Sequence, residues 1–370
     1  MSREGIIQEF IELTSIESLS YKERKMADLL KGKLSDIGLD VYEDDAGKKT
    51  GGDSGNVVGV LKGDDALPVI VMLAHMDTVG PGHDKKCVID GDIIKSDGTT
   101  ILGGDDGAGI IIILETIRGI IQRGIRHGDV LAVFTIAEEV GLIGARNLDF
   151  ERLNADYAFV FDSSGPAGEV AFAAPSQVTI DVGIKGKAAH AGVEPEKGVS
   201  AIQVFAKAVS QMTLGRIDEE TTANIGVVNG GTATNVVCEY LTSRAEVRSH
   251  DDNKLNKHVA HIEKAFSDAC AEFGAELTFD TKIEYRSFAI DPASQVLEKL
   301  RRGAGKIGIE IVLERTGGGS DTSILNERGI MAVNLSAGMF NAHSKNEYAD
   351  ISIMEKTIDL MLETFNEFGE

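Results

Sequence analysis

Histidine and carboxylate side chains recur where apolar runs of this sequence end, and that pairing of residue types suits a divalent metal ion. The stretch "VIVMLAHMDTV", Val69 to Val79, turns polar at His75 and Asp77. Asp105 and Asp106 precede the long apolar run from Gly107, Glu138 and Glu139 close "DVLAVFTIAEE", Asp162 closes "YAFVFD", and His343 follows "SAGMFNAH". Imidazole nitrogens and carboxylate oxygens bind zinc in catalytic sites and also accept cobalt or manganese. Taken singly, each residue has a plainer account, as a hydrogen-bonded histidine or as a solvated acid at a helix start. Taken together they place charge directly after buried runs, which is costly unless a cation removes the cost.

Helices and strands must bring these residues into one place. Met26, Leu29, Leu30, Leu34 and Ile37 fall at helical spacing over residues 23–37, which stop at Gly38, and "LDVYED" and "NVVGVLKG" read as short strands. Residues 69–74 form a continuous apolar strand; "GAGIIIILETIRGIIQR" reads as a buried helix, and "DVLAVFTIAEE" and "YAFVFDSSG" as further strands. This alternation predicts a mostly parallel α/β sheet with flanking helices, in which ligands bind beyond the carboxyl ends of strands.

After Gly168 the rhythm changes. Strands of alternating polarity at "QVTIDVGIKG", "ANIGVVNGG", "NVVCEYLTSRAEVRS" and "AELTFDTKIEY", with helices at "VSAIQVFAKAVSQM" and residues 253–273, predict an antiparallel sheet carrying helices on one side. The α/β pattern returns at "ASQVLEKL", "IMAVNLSAG" and "SIMEKTIDLMLETFNEF". The expected organisation is a discontinuous catalytic domain, 1–175 and 287–370, interrupted by an inserted α+β domain over 176–286.

Composition bounds the partners. With 37 basic and 59 acidic residues, the formal net charge of -22 repels phosphate backbones and anionic lipid, which argues against nucleic acid and membrane partners. "MSREGIIQEF" holds no apolar run of signal-peptide length, so a cytoplasmic location is the expectation. Cys87, Cys238 and Cys270 are odd in number and lack a CxxC pair, which argues against a disulfide framework or thiolate zinc site. The acidic stretch "DGDIIKSDG" lacks the ligand spacing, central glycine and final glutamate of a calcium-binding EF-hand loop.

Over essentially its whole length the chain resembles the two-zinc peptidases that include peptidase T, carboxypeptidase G and succinyl-diaminopimelate desuccinylase. The resemblance rests on "HMDTV", "GGDDGAG", "AEEVG", "FDSSG", "KAAHAG" and "NAHSKNE", in the family's order, while "HAGVEPEKG" and "GGGSD" lean toward the peptidase T-like branch. It implies a zinc exopeptidase fold with an inserted lid domain through which subunits pair as a homodimer. It also implies two zinc ions per chain, one held by His75 and Asp162, the other by Glu139 and His343, with Asp105 as the bridge. Asp77 would accept the other ring N–H of His75, Asp106 stays outside the ligand set, and Glu138 would be the general base for a metal-bridged water. In the inserted domain, His190 would steady the oxyanion, and Asn235 and Arg248 would hold the substrate's carboxylate; an arginine fork suits that task. A surface ion pair for Arg248 and a plain loop for His190 remain the simpler accounts, and the "TGGGSD" glycines could offer N–H groups to a substrate or merely form a turn.

One departure stands out. Many relatives carry lysine two residues after the bridging aspartate, where this chain has Gly107. The implied activity is removal of the N-terminal residue from short peptides. Hydrolysis of acylated amino acids and a non-catalytic metal- or peptide-binding relative are the alternatives, and Glu138 favours an enzyme because a binder needs no base.

Overall fold

The computed structural model describes residues 2–370, which divide into two compact units. Ala174–Phe288 and Gly317–Gly319 form the second unit, and the remaining described residues form the first.

In the first unit a mixed sheet runs from edge to edge through Asp40–Glu43, Val57–Leu61, Val130–Thr135, Ile70–His75, Tyr157–Ser164, Met331–Phe340, Tyr348–Asp350, Ile93–Ser96 and Cys87–Asp90. Its centre is parallel: Ile70–His75 pairs with Val130–Thr135 on one side and Tyr157–Ser164 on the other, and Tyr157–Ser164 pairs with Met331–Phe340. Antiparallel strands extend both edges. Ile70–His75 and Val130–Thr135 are buried at every position, and all but their last residues are apolar, as strands covered on both faces require. Because the four central strands are parallel, their carboxyl ends lie along one edge of the sheet.

The helix Gly104–Arg123 packs across the central strands, and its Gly104–Ile117 stretch is entirely buried. Asp105 and Asp106 have non-helical backbone angles, so the helical run proper begins after them. A helix at the N-terminus, Arg3–Thr14, lies where the sequence analysis places no element. Its signal is present: Ser2 caps it, and Ile6, Phe10 and Leu13 form a buried stripe at helical spacing. It packs on Gly104–Arg123 and explains Gly107. A Cβ there would meet Thr14 Cγ2 at 3.1 Å and Phe10 Cε2 at 3.7 Å, so the direction a lysine would take is filled by the first helix.

The second unit is an antiparallel sheet ordered Gly215–Arg216, Thr221–Gly230, Tyr240–Ser249, Ser176–Lys185 and Glu276–Tyr285. Val178, Ile180, Val182 and Ile184 alternate into a core shared with Val204, Leu255, Ile262 and Phe266 of the helices Ala201–Val209 and Asp252–Phe273. The strand expected over 235–249 begins only at Tyr240. Its first residues bond instead to the loop before the first of those helices, Ala191 N–H donating to the Asn235 carbonyl at 3.0 Å and Val237 N–H to the Ala189 carbonyl at 3.0 Å. Gly215–Arg216 pairs only with Thr222 and Ala223, so among the described residues 224–230 form a strand edge with no neighbour on that side. No helix among the described residues is long and apolar enough to cross a membrane.

Gly109 marks how closely the Gly104–Arg123 helix approaches the sheet: a Cβ there would lie 2.3 Å from Asp106 Oδ1 and 2.6 Å from the Phe161 carbonyl. Gly109→Ala is expected to destabilise the protein by about 1–3 kcal/mol, read as a lowered urea midpoint; an unchanged midpoint would contradict the packing account.

Candidate metal centre

Four parallel strands deliver the candidate ligands to one edge. His75 ends its strand, Glu138 and Glu139 follow Val130–Thr135, Asp162 lies near the end of Tyr157–Ser164, and His343 follows Met331–Phe340. Asp105 sits between the two imidazoles, with Oδ1 3.0 Å from His75 Nε2 and Oδ2 3.3 Å from His343 Nε2. His343 Nε2 also lies 2.9 Å from Glu139. Among the described residues two groups of side chains converge closely enough to hold a metal ion, His75 with Asp105 and Glu139, and His75 with Asp106 and Asp162.

Backbone N–H groups fix the carboxylates behind them. Asp77 differs from expectation: the His75 Nδ1–H donates to the Asp77 main-chain carbonyl at 2.8 Å, while the Asp77 carboxylate is 3.5 Å away. The residue still sets the imidazole's tautomer, leaving Nε2 for a ligand. Its carboxylate is engaged elsewhere, accepting the N–H groups of Glu138 at 2.9 Å and Glu139 at 3.3 Å and the Ser20 hydroxyl at 2.7 Å. Asp106 accepts from His75 N–H at 3.1 Å and from Gly109 N–H at 3.0 Å, the latter a helix cap. It stands within reach of His75 and Asp162 while serving as a backbone anchor.

Three supporting residues escaped the sequence reading. Glu23 Oε1 accepts Tyr21 N–H at 2.8 Å and Ala137 N–H at 3.0 Å, so with Asp77 it grips three consecutive N–H groups of the turn bearing Glu138 and Glu139. Asn334 brackets Asp162, accepting its N–H at 2.9 Å and donating to its carbonyl at 2.8 Å. Asp321, in "GGGSD", accepts from the Thr135 hydroxyl at 2.5 Å. Asn334 has a signal in the sequence, a polar residue inside an apolar run, whereas Glu23 in "YKERK" and Asp321 after "GGGS" have none.

Crowding of acids governs the electrostatics. Burial first, then neighbouring carboxylates, pushes Asp162, Asp106 and Glu138 well above the usual range; Asp162 is the main charge acting on Glu138, and Asp105 on Asp162. Burial also raises Asp321 to about 6, and Glu23 to about 7 with help from Asp77. Burial opposes the charged form of Asp105 too, yet hydrogen bonds from His343 and His75 hold it below its ordinary value. Those bonds to Asp105 and Glu139 lift His343 to about 10. Two imidazoles cannot offset this many buried acids, whereas divalent cations among them would, so the donor set fits a metal centre.

Within the second unit, His190 and Asn235 are neighbours through the isolated bridge of His190 with Val236, and both are exposed. The Arg248 fork is occupied: Nε and Nη2 donate to Glu246 at 3.0 Å each, and Nη1 reaches the Tyr285 hydroxyl at 3.3 Å and the Gly317 carbonyl at 3.4 Å. Gly319 N–H donates to that same hydroxyl at 2.9 Å.

Comparison with known proteins matches residues 173–274 to the peptidase dimerisation domain of family M20 and residues 87–208 to the glutamyl aminopeptidase family M42. The chain is 41% identical to the uncharacterized protein YqjE of Bacillus subtilis over 99% of both chains. Its structure resembles that of aminopeptidase PepT from Bacillus cereus, with 40% identity, full coverage of both chains and a TM-score of 0.92. It also resembles a tripeptidase from Staphylococcus aureus, with 37% identity, coverage of 100% of this chain and 99% of that one, and a TM-score of 0.95.

Glu23 carries a pH signature. Its folded value of about 7 lies above the ordinary 4.5, so its contribution to stability is fully present below about pH 4.5 and is lost as pH rises through about 7. Glu23→Gln keeps the accepting oxygen and removes the charge. In metal-free protein it is expected to gain stability over the parent between about pH 5 and about pH 8, by up to roughly 3 kcal/mol, measured by urea unfolding; a difference independent of pH would refute this.

Proposed function

The chain belongs to the peptidase T-like branch of peptidase family M20, a family of metal-dependent exopeptidases, and on that premise we propose that it removes the N-terminal residue from short peptides, tripeptides foremost. The observation that carries the reading is the Asp105 carboxylate shared between His75 and His343, with Glu139 on the far imidazole. A shared carboxylate offsets the mutual repulsion of two ions a few ångströms apart.

In this reading His75 and Asp162 would hold one zinc and Glu139 and His343 the other, with Asp105 available to both; cobalt or manganese would suit the same donors. Such ions polarise a carbonyl and acidify water. The protein's own part is to place and move protons. Glu138, whose carboxyl burial and Asp162 push upward, adjoins a ligand and is left as the base. It takes a proton from the attacking water as the C–O bond forms and returns it to the amine nitrogen as the C–N bond breaks. Asp77 and Glu23 hold the backbone beneath it, and Asp77 aims His75.

From the second unit, His190 would steady the oxyanion, and Asn235 and Arg248 the peptide's carboxylate. The long contacts of Arg248 Nη1 to Tyr285 and Gly317 are the ones a carboxylate can replace, because Glu246 occupies the rest of the fork. The open edge at 224–230, with Val227 and Val228 exposed, supports pairing of two chains through this unit. The acidic surface and the absence of a membrane-crossing helix among the described residues are compatible with a cytoplasmic enzyme.

Zinc-loaded protein should release N-terminal residues from tripeptides, and a chelator should abolish turnover until zinc is restored. Glu138→Gln should lower kcat by about 100-fold to 10,000-fold with zinc content unchanged. No release from any free peptide by zinc-loaded protein would overturn the aminopeptidase reading; turnover of acylated amino acids alone would move it to the amidohydrolase alternative. Sedimentation should give a dimer that Val227→Lys with Val228→Glu converts to a monomer.

A further inference from the structure

Glu347 is 1% exposed, lies four residues beyond His343, and belongs neither to the ligand set nor to the base. Its Oε2 accepts the N–H groups of Leu102 at 2.7 Å and Gly103 at 2.8 Å, and its Oε1 accepts that of Asp105 at 2.9 Å. The turn closes tightly on this carboxylate, since a Cβ at Gly104 would lie 3.2 Å from Oε1. One buried carboxylate thus joins the segment carrying His343 to the turn carrying Asp105, through three bonds to a charged acceptor.

That link matters unequally to the two halves of the centre. His75 pairs with Thr135 at the end of a central strand, and Asp162 is held in the adjoining strand by Asn334, which bonds both its N–H and its carbonyl. His343 sits in a loop at left-handed φ with its side chain 56% exposed, and Glu139 sits in a turn. Besides the contact of His343 itself with Asp105, the contacts described that tie the segment between Met331–Phe340 and Tyr348–Asp350 to the Asp105 turn are those of Glu347. We propose that Glu347 is a positioning residue that sets the spacing of His343 from Asp105 and thereby the affinity of the ion held by Glu139 and His343. The inference rests on the two-metal reading above.

Zinc titration by calorimetry tests it without recourse to activity. The parent should bind two equivalents, and His343→Ala should mark the event belonging to the Glu139 and His343 ion by its loss. In Glu347→Gln, which sets an amide donor against backbone donors, that event should weaken about tenfold or more, while the other shifts by less than about threefold. Glu347→Asp keeps the charge but shortens the reach, should weaken the same event, and decides the matter if the glutamine variant does not fold. The cobalt-loaded variants should also lose absorption at the second equivalent only. A folded variant with the second event unchanged, or with both events weakened equally, would overturn the proposal. A parent that binds fewer than two equivalents would refute the two-metal reading itself, whatever the variants do.

Discussion

The centre is governed by the difficulty of keeping many carboxylates buried beside one another. Asp105, Asp106, Asp162, Glu138 and Glu139 converge where water is scarce, and the raised values of Asp106, Asp162 and Glu138 express first their burial and then the repulsion of neighbouring carboxylates. Two physical devices answer it. Cations fit among the carboxylates that face inward, and backbone N–H groups are assigned to those that stand behind. Asp77, Glu23, Asp106 and Glu347 each accept at least two N–H groups, mostly from the segments that carry His75, Asp105, Glu138 and Glu139. A charged acceptor fixes a turn more firmly than a neutral one, so the acids that crowd the site also make it rigid.

The fold makes that arrangement possible. Parallel strands align their carboxyl ends along one edge, so residues far apart in the chain arrive together, and the helix Gly104–Arg123 brings Asp105 and Asp106 in from above the sheet. Close approach of that helix requires small residues along its start. Gly109 clears Asp106 and the Phe161 carbonyl, and Gly107 leaves room for Thr14 of the first helix. The glycines of "GGDDGAG" are therefore packing requirements of the same centre that the aspartates serve.

Much of this was legible in the residues. Strands of unbroken apolar composition announce a sheet covered on both faces, and a polar group directly after such a run must find a partner. The first helix is legible too, in the spacing of Ile6, Phe10 and Leu13. The strand expected from Asn235 begins only at Tyr240: Val236 and Val237 suit a strand by composition, yet the backbone bonds of Asn235 and Val237 go to the loop at 189–191.

By itself the sequence determined the class of fold, the identities of the inward-facing imidazoles and carboxylates, and the family to which they belong, because local periodicity and residue chemistry follow from short stretches of chain. Tertiary structure alone decided which atom of each residue does what. Asp77 aims His75 with its carbonyl and spends its carboxylate on the Glu138 turn, Glu246 occupies most of the Arg248 fork, and Glu347 reaches the Asp105 turn from more than two hundred residues away. The reason is that a hydrogen bond depends on positions within a few tenths of an ångström, and those positions are set by how distant segments pack, which no local pattern in the chain encodes.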